Sequence, residues 1–340
     1  MDLNKKLPLV SIGIPTYNNP DGLRNTLNYI SNQTYRNIEI VISDNGSPGD
    51  ETKKVALEFS KKDKRIKYFR QKKNEGSIFN FKFVLDKAKG EYFMWAADDD
   101  FWDKTFVEKC MNKFLNDSSL GLVLTKYKII SIKDHSFSDY IPKMNYHFCP
   151  DLTREERIAL YILIDSNTSH KTNMIYGLWK KKSLKQSMEI HSYLCDKFQI
   201  KSLEAFGTLF DEPWMVYALT QDEARQVPEL LFIKQYKTFA PGSLKCNVMR
   251  TRDQFTSLIN PFNFKQTVNH YKKIYARNSL DVDIIGGSLE KGGFNTKKLR
   301  RIIKLKKALL IIPSEIRTII CEIIIRFLFV YYLIKKKISG

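Results

Sequence analysis

Histidine and cysteine are sparse in this 340-residue chain, and neither is spaced to hold zinc. The five histidines show no HxxH or HExxH pattern. The five cysteines, Cys110, Cys149, Cys195, Cys246 and Cys321, form no CxxC pair. Scattered and odd in number, they read as reduced thiols of a cytosolic protein. A P-loop and a G-x-G-x-x-G turn are both missing, which leaves kinase and dehydrogenase chemistry without support. The opening "MDLNKKLPLV" lacks the long apolar core of a signal peptide, so secretion is not expected. Acid is in deficit as well. Lys and Arg number 56 against 37 Asp and Glu, a formal charge of +19. That balance suits an anionic partner: nucleic acid, anionic lipid or a phosphate-bearing substrate.

What is present is a core and a rhythm. Hydrophobic residues make up 43% of the chain, enough for one large domain with an appendage, or for two domains. "LVSIGIP" (Leu9–Pro15) is a short β-branched run and reads as a buried strand. Asn19-Pro20 then offers a helix cap and a first-turn proline, followed by Leu23, Leu27 and Ile30 at helical spacing. Strands are expected again at Ile38–Ser43, Ile66–Phe69 and Glu91–Ala97, with helices near Glu51–Ser60 and after "NEGS". Further along, "DKTFVEKCMNKFL" and "FDEPWMVYALT" read as helices, and "LGLVLTKYKIIS" and "ELLFIKQYK" as strands. "IYGLWKKKSL" reads as a strand entering a helix, and 284–295 as a glycine-bearing linker. Alternating strands and helices imply crossover units and an α/β fold with a mostly parallel sheet.

In such sheets ligands bind beyond the carboxyl ends of the strands. Polar clusters fall at those places: Thr16, Tyr17 and Asn18 after the first strand, Asp44 and Asn45 after the second. The fourth strand runs into "WAADDDFW", where Asp98, Asp99 and Asp100 stand side by side between large apolar residues. Adjacent carboxylates repel, so the triplet needs open water or a cation. One cluster alone would read as a solvated turn; three at one edge read as a shared site. Mg²⁺ and Mn²⁺ take oxygen ligands and are typically held by one or two carboxylates plus substrate phosphates. A cation there would relieve the repulsion and hold a diphosphate, as a nucleoside diphosphate leaving group requires.

At the other end the composition changes. "KKLRRIIKLKK" (Lys297–Lys307) holds seven basic residues in eleven, and the strongly apolar 308–334 follows. That stretch is long enough to span a bilayer. However, it carries Glu315, Arg317, Glu322 and Arg326, and charges are costly in hydrocarbon. A helix lying in the membrane interface between cationic flanks fits better than a spanning one. The competing reading is a buried bundle helix or a dimer contact.

Taken together, "VSIGIPTYNNPDGLRNTLNYISNQTYRNIEIVISDNGS", "NEGSIFNFKFVLDKAKGEYFMWAADDDFW" and "FDEPWMVYALT" resemble the family 2 inverting glycosyltransferases of the GT-A fold, over about residues 8–240. P-T-Y-N followed about twenty-five residues on by S-D-N-G-S is the specific part of the resemblance. The resemblance implies that Pro15, Thr16 and Tyr17 line the base and ribose pocket, beside Asn18, and that Asp44, next to Asn45, bonds base or ribose. It implies that Gly76 and Asn80 face the diphosphate at a helix start, where backbone N–H groups favour anions. Asp98 would sit by the ribose and Asp99 would be the principal metal ligand. Asp100 would bind metal or donor sugar. Transfer also needs a carboxylate to take the acceptor's proton. The family places its base at the head of the helix that opens here with Asp211 and Glu212, Asp211 being first choice and Glu212 the reserve. Taken without the resemblance, both acids would simply favour a helix N-terminus.

The chain departs from relatives that carry Y-R-x-H, having Tyr236, Lys237, Thr238 and Phe239 instead. Lys237 keeps a charge for the diphosphate but lacks the arginine fork. The following "FAPGSLKCN" is expected to be a mobile loop that closes over the donor. The resemblance implies a cytoplasmic enzyme using Mn²⁺ or Mg²⁺ and a nucleoside-diphosphate sugar, a UDP-sugar being commonest among relatives. It would act on a glycan or lipid-linked acceptor in bacterial surface-polysaccharide assembly and sit peripherally on the inner face of the plasma membrane. Residues 1–240 would form the transferase domain, divided near 125 into nucleotide and acceptor halves. Residues 241–296 would be linker and helix, and 297–340 the membrane-interface helices. Rival readings are a sugar-nucleotide nucleotidyltransferase, which "PTYNNPDG" fits poorly, and a non-enzymatic basic protein that binds nucleic acid or membrane. The tail's mixture of base and apolar residues points to lipid rather than nucleic acid.

Overall fold

The computed structural model describes residues 7–133, 136–140, 154, 157–158, 161, 171–198, 211–236 and 285–293. The first strand, β1 (Val10–Thr16), is buried along its whole length. It leads to α1 (Pro20–Ser31), started by Asn19, whose side chain accepts from Gly22 N at 3.3 Å. Pro20 fits the first turn because its missing N–H would have no partner there. Leu23, Leu27 and Ile30 lie fully buried, as their spacing implies, each worth about 1.5–3 kcal/mol of burial. Strand β2 (Ile38–Asp44), helix α2 (Glu51–Lys62) and strand β3 (Ile66–Arg70) repeat the pattern. Helix α3 (Ser77–Lys87) follows, then β4 (Tyr92–Trp95). The four strands lie in the order β3-β2-β1-β4, all parallel.

Close packing sets two sequence choices in this half. A methyl at Gly13 in β1 would come within 2.7 Å of Val84 Cγ2 on α3 and 2.8 Å of Phe93 Cζ on β4. On α3 the buried residues are Asn80, Val84 and Leu85. Phe79 is 42% exposed and leans on Phe83 instead of entering the core.

The remaining strands are mixed in direction. After the acidic turn a two-residue strand, β5 (Phe101–Trp102), precedes α4 (Phe106–Asn116). Then come β6 (Leu120–Lys133), β7 (Ser136–Tyr140), β8 (Leu178–Lys180) and β9 (Glu223–Tyr236). Strand β8 runs antiparallel to both β4 and β6, β9 runs parallel to β6, and β5 closes the edge antiparallel to β9. The expected parallel sheet is therefore parallel through β3-β2-β1-β4 and mixed beyond it. Strand β5 was not anticipated, and β4 is shorter than expected: Glu91 precedes it, and Ala96 and Ala97 lie between its end and the turn at Asp98.

The chain forms two compact units. The sheet belongs to the first, which comprises Met1–Pro150, Asn173–Met188 and Gln221–Thr238. The second comprises Asp151–Thr172, Glu189–Thr220 and Phe239–Gly340. Within it Arg154 Nη1 donates to Thr220 O at 3.2 Å, and a side chain at Gly292 would strike Thr220. Residues 285–291, inside the stretch read as a linker, are helical. Among the described residues no helix is long and apolar enough to cross a membrane. The basic-apolar segment 297–340 and the loop after Tyr236 lie outside the described residues.

At the amino ends of the strands sits a carboxylate that the fold depends on. Glu39, paired with Ser11 across β1 and β2, is 5% exposed. Its Oε1 accepts from Ser11 Oγ at 2.6 Å and from the backbone N–H groups of Lys89 and Gly90, and its Oε2 from Lys67 Nζ at 3.0 Å. Burial pushes this carboxyl up, but the Ser11, Lys89 and Lys67 donors outweigh it and hold it below its ordinary value. A depressed pKa contributes stability at neutral pH that disappears as pH falls through the folded-state value. Glu39→Gln is expected to cost about 1–3 kcal/mol at pH 7, read as a lower denaturation midpoint. The gap to wild type should shrink as pH falls below the ordinary value of 4.5. Equal midpoints at pH 7 would show that the cluster contributes nothing.

Candidate active site

At the carboxyl ends of β1, β2 and β4 the polar clusters meet. Parallel register places Thr16 beside Asp44. Thr16 Oγ1 donates to Asp98 Oδ2 at 2.5 Å, which ties β1 to the acidic turn. Asn19 Nδ2 donates to Asp98 O at 3.0 Å and Thr26 Oγ1 to Ala97 O at 3.1 Å, so α1 holds the same turn from its other side. Any side chain at Gly22 would collide with Asp98 O. Sequence reading singled out neither Thr26 nor Gly22, since their partners lie more than seventy positions away.

Several of the expected site residues also make hydrogen bonds within the protein. Asp44 is fully buried. Its Oδ1 accepts from Ser47 N and its Oδ2 from the Tyr68 hydroxyl, both at 2.8 Å, with Arg70 Nε 3.6 Å away. Burial first, and the bond to Asp44 second, raise the Tyr68 phenol pKa, which keeps it a proton donor. Asn45 Nδ2 donates to Asn74 Oδ1 and Gly76 O, and Asn45 Oδ1 accepts from Glu75 N, so this side chain shapes the turn before α3. Asn80 is 3% exposed, and its amide donates to Thr16 O at 3.3 Å and Ser43 O at 3.1 Å, clasping β1 to β2. Pro15 is buried too. The residues left facing outward are Tyr17, Asn18 and Gly76, with Asp98 and Asp99 half-buried. Asn18 is the described non-glycine residue with positive φ, at 50°, and its N–H bonds Ser47 Oγ at 2.8 Å.

The three aspartates have three environments. Asp98 is fastened by Thr16. Asp99 has a side chain 30% exposed. Asp100 is 1% exposed: its Oδ2 accepts from Lys234 Nζ and its Oδ1 from Gln235 N, both at 3.0 Å. Burial, then the charge of Asp99, drive the Asp100 carboxyl up to about 7 against the pull of Lys234. Burial opposes the Lys234 charge as well, but Tyr176, Asp100 and Asp99 outweigh it and keep the ammonium. An internal cation answers the crowded triplet in part: Lys234 Nζ lies 3.0 Å from Asp100 Oδ2 and 3.6 Å from Asp99 Oδ1, and of these two acids Asp99 is the one also open to solvent. Lys234 was not foreseen. The available signal was a lone lysine inside the apolar run "LLFIKQY".

Among the described residues no group of three or more His, Cys, Asp or Glu side chains is gathered to hold a metal by protein ligands alone. The donor set nevertheless fits a hard cation of the Mg²⁺ or Mn²⁺ kind. Asp99 offers an oxygen at a partly open position, and such ions usually complete their shell with substrate phosphates and water. Asp100, expected as a second ligand or sugar contact, has both oxygens engaged within the protein. Asp211 and Glu212 open the helix Asp211–Gln221 and belong to the second unit; their side chains lie outside the described residues, as does Lys237.

Fold and site together define an α/β protein of the GT-A-like class, with its acidic turn at the carboxyl ends of the parallel strands. The profile described as "Glycosyl transferase family 2" matches residues 11–176. Over 325 residues the chain is 30% identical to an uncharacterized glycosyltransferase of Rickettsia typhi, covering 87% of this chain and 96% of that protein. This chain belongs to glycosyl transferase family 2 and is a transferase enzyme. A shorter match joins it to the GalNAc(5)-diNAcBac-PP-undecaprenol beta-1,3-glucosyltransferase of Campylobacter jejuni, 38% identical over 95 residues, or 28% of this chain and 30% of that protein. The fold is similar to that of S. aureus TarS 1-349, solved in complex with UDP: TM-score 0.53 at 15% identity, covering 91% of this chain and 90% of that one.

Proposed function

We propose that this enzyme transfers a sugar, with inversion, from a nucleoside diphosphate sugar to a hydroxyl of a glycan or lipid-linked acceptor. The observation that carries the reading is the convergence of Thr16, Asp44 and the acidic turn at the carboxyl ends of β1, β2 and β4, with the Asp99 side chain 30% exposed. Open α/β sheets bind ligands at this end of their strands. Tyr17 and Asn18 would contact the nucleotide, with Asp44, Asn45 and Asn80 holding the strand ends and loops that shape its pocket. Gly76, at φ 90° before α3, would bring backbone close to the diphosphate.

Asp99 would hold Mn²⁺ or Mg²⁺, on a turn anchored by the bonds of Asp98 to Thr16 and of Asp100 to Lys234 and Gln235. A bound divalent ion supplies neutralisation of the departing diphosphate. In the transfer, the acceptor oxygen attacks the anomeric carbon from the face opposite the phosphate as its proton passes to Asp211. The anomeric C–O bond breaks and its electron pair leaves on the diphosphate, so the new glycosidic bond has inverted configuration. Glu212 is the reserve for the base, and Lys237 would meet the diphosphate. The UDP complex of TarS and the polyprenyl-linked acceptor in the name of the Campylobacter jejuni relative support a UDP-sugar and a lipid-linked glycan as first candidates. Association with the inner face of the plasma membrane through residues 297–340 belongs to this reading, and co-sedimentation with anionic vesicles tests it.

The primary test is a thermal-shift screen of nucleoside diphosphate sugars with and without Mn²⁺. One nucleotide class should stabilise the protein, and more so with the metal. At a hundred times its dissociation constant a ligand adds about 2.7 kcal/mol. A flat response across the panel would defeat the proposal.

A further inference from the structure

We infer that Lys234 is a positioning residue whose buried ammonium stands as the resident cation behind Asp99 and Asp100, so that the acidic turn captures a divalent cation only together with an anionic diphosphate. The inference rests on Asp99 being the cation-holding carboxylate.

Register brings the groups together. Strand β5 pairs Phe101 with Ile233 and Trp102 with Phe232, antiparallel, so the residue before β5 is carried against Lys234. Lys234 Nζ then lies 3.0 Å from Asp100 Oδ2, 3.6 Å from Asp99 Oδ1 and 4.9 Å from the centroid of the Tyr176 ring. Lys234 is 8% exposed. Aromatic rings wall the pair: Trp102 stacks on Phe232 at 4.3 Å and Tyr176 lies 5.6 Å from Phe232.

A charge in such dry surroundings acts strongly at short range. The ammonium holds Asp100 inward at 3.0 Å and reaches Asp99 at 3.6 Å, and Asp99, its side chain 30% exposed, is the one of the two still open to solvent. It also cancels part of the negative field that would draw a second cation to Asp99. The free turn therefore attracts Mn²⁺ weakly. A diphosphate brings negative charge and oxygen ligands of its own, and the balance then favours the metal.

The test is Mn²⁺ binding to the full chain, followed by the electron paramagnetic resonance signal of the free ion. The probes are Mn²⁺ alone and Mn²⁺ with UDP, GDP, CDP or ADP. Wild type should bind Mn²⁺ about tenfold or more tightly with its preferred diphosphate than alone. Lys234→Met should bind Mn²⁺ alone about tenfold more tightly than wild type does, and so lose most of that coupling. Lys234→Gln, which keeps a donor for Asp100, should shift the same way and stands in if the methionine variant does not fold. Lys234→Arg should keep the wild-type coupling. Methionine or glutamine variants with unchanged or weaker binding of Mn²⁺ alone would overturn the inference and leave the role of Asp99 intact. A wild-type chain that binds no Mn²⁺ with any diphosphate would overturn the metal reading of Asp99, and this inference with it.

Discussion

Asp99→Asn should reduce sugar transfer by about a thousandfold while leaving the fold intact. The substitution keeps the size of the side chain and removes the charge, at the acid that the structure leaves on the open side. Its neighbours are poor replacements. Asp98 is fastened to Thr16, and Asp100 is committed to Lys234 and Gln235. Lewis-acid assistance to a phosphate leaving group is worth several kcal/mol, and about 4 kcal/mol corresponds to three powers of ten in rate. Asp99 is the more distant partner of Lys234, at 3.6 Å against 3.0 Å for Asp100, so asparagine there should leave the buried pair in place and move the melting temperature little in the absence of ligand. Initial rates across a Mn²⁺ titration provide the measurement, with the nucleotide sugar found in the screen. A variant retaining a tenth or more of wild-type turnover at saturating metal would place the cation elsewhere.

Asp211→Asn is the second large effect. If Asp211 takes the acceptor's proton, turnover should fall by about 10²–10⁴-fold, the usual contribution of a positioned base. Donor affinity should stay within about twofold, because the base meets the acceptor and not the nucleotide. Glu212→Gln should change turnover little. The pair of variants assigns the base directly. If Glu212→Gln suffers the larger loss, the roles exchange; if neither loses activity, the base belongs to another element. Calorimetric binding of the donor beside steady-state turnover separates the two quantities.

Much of the first unit was legible in sequence because its signals are local. Asn19-Pro20 starts a helix by satisfying end groups within the first turn, and it does so here. Leu23, Leu27 and Ile30 lie on one face because the helix repeats every 3.6 residues. The strand ends carried the polar clusters, and parallel register needed only the alternation of strands and helices to bring Thr16 and Asp44 together. What sequence reading did not show was how many of those residues bond within the protein. Asp44, Asn45 and Asn80 turn inward, since the loops they support cannot close without partners for their own N–H and C=O groups.

Sequence by itself determined the alternating architecture, the polar clusters and acidic turn at the strand ends, and the glycosyltransferase family. Each follows from short-range periodicity or a contiguous motif. Tertiary structure alone decided which acid is offered to solvent and which is neutralised from within. That choice depends on a two-residue strand, too short to show any period, pairing with Phe232 and Ile233 and so bringing Asp100 against Lys234, 134 positions downstream. The counter-ion of a buried carboxylate is selected by the register of two strands and the rings that exclude water around them, and neither is written in any single stretch of the chain.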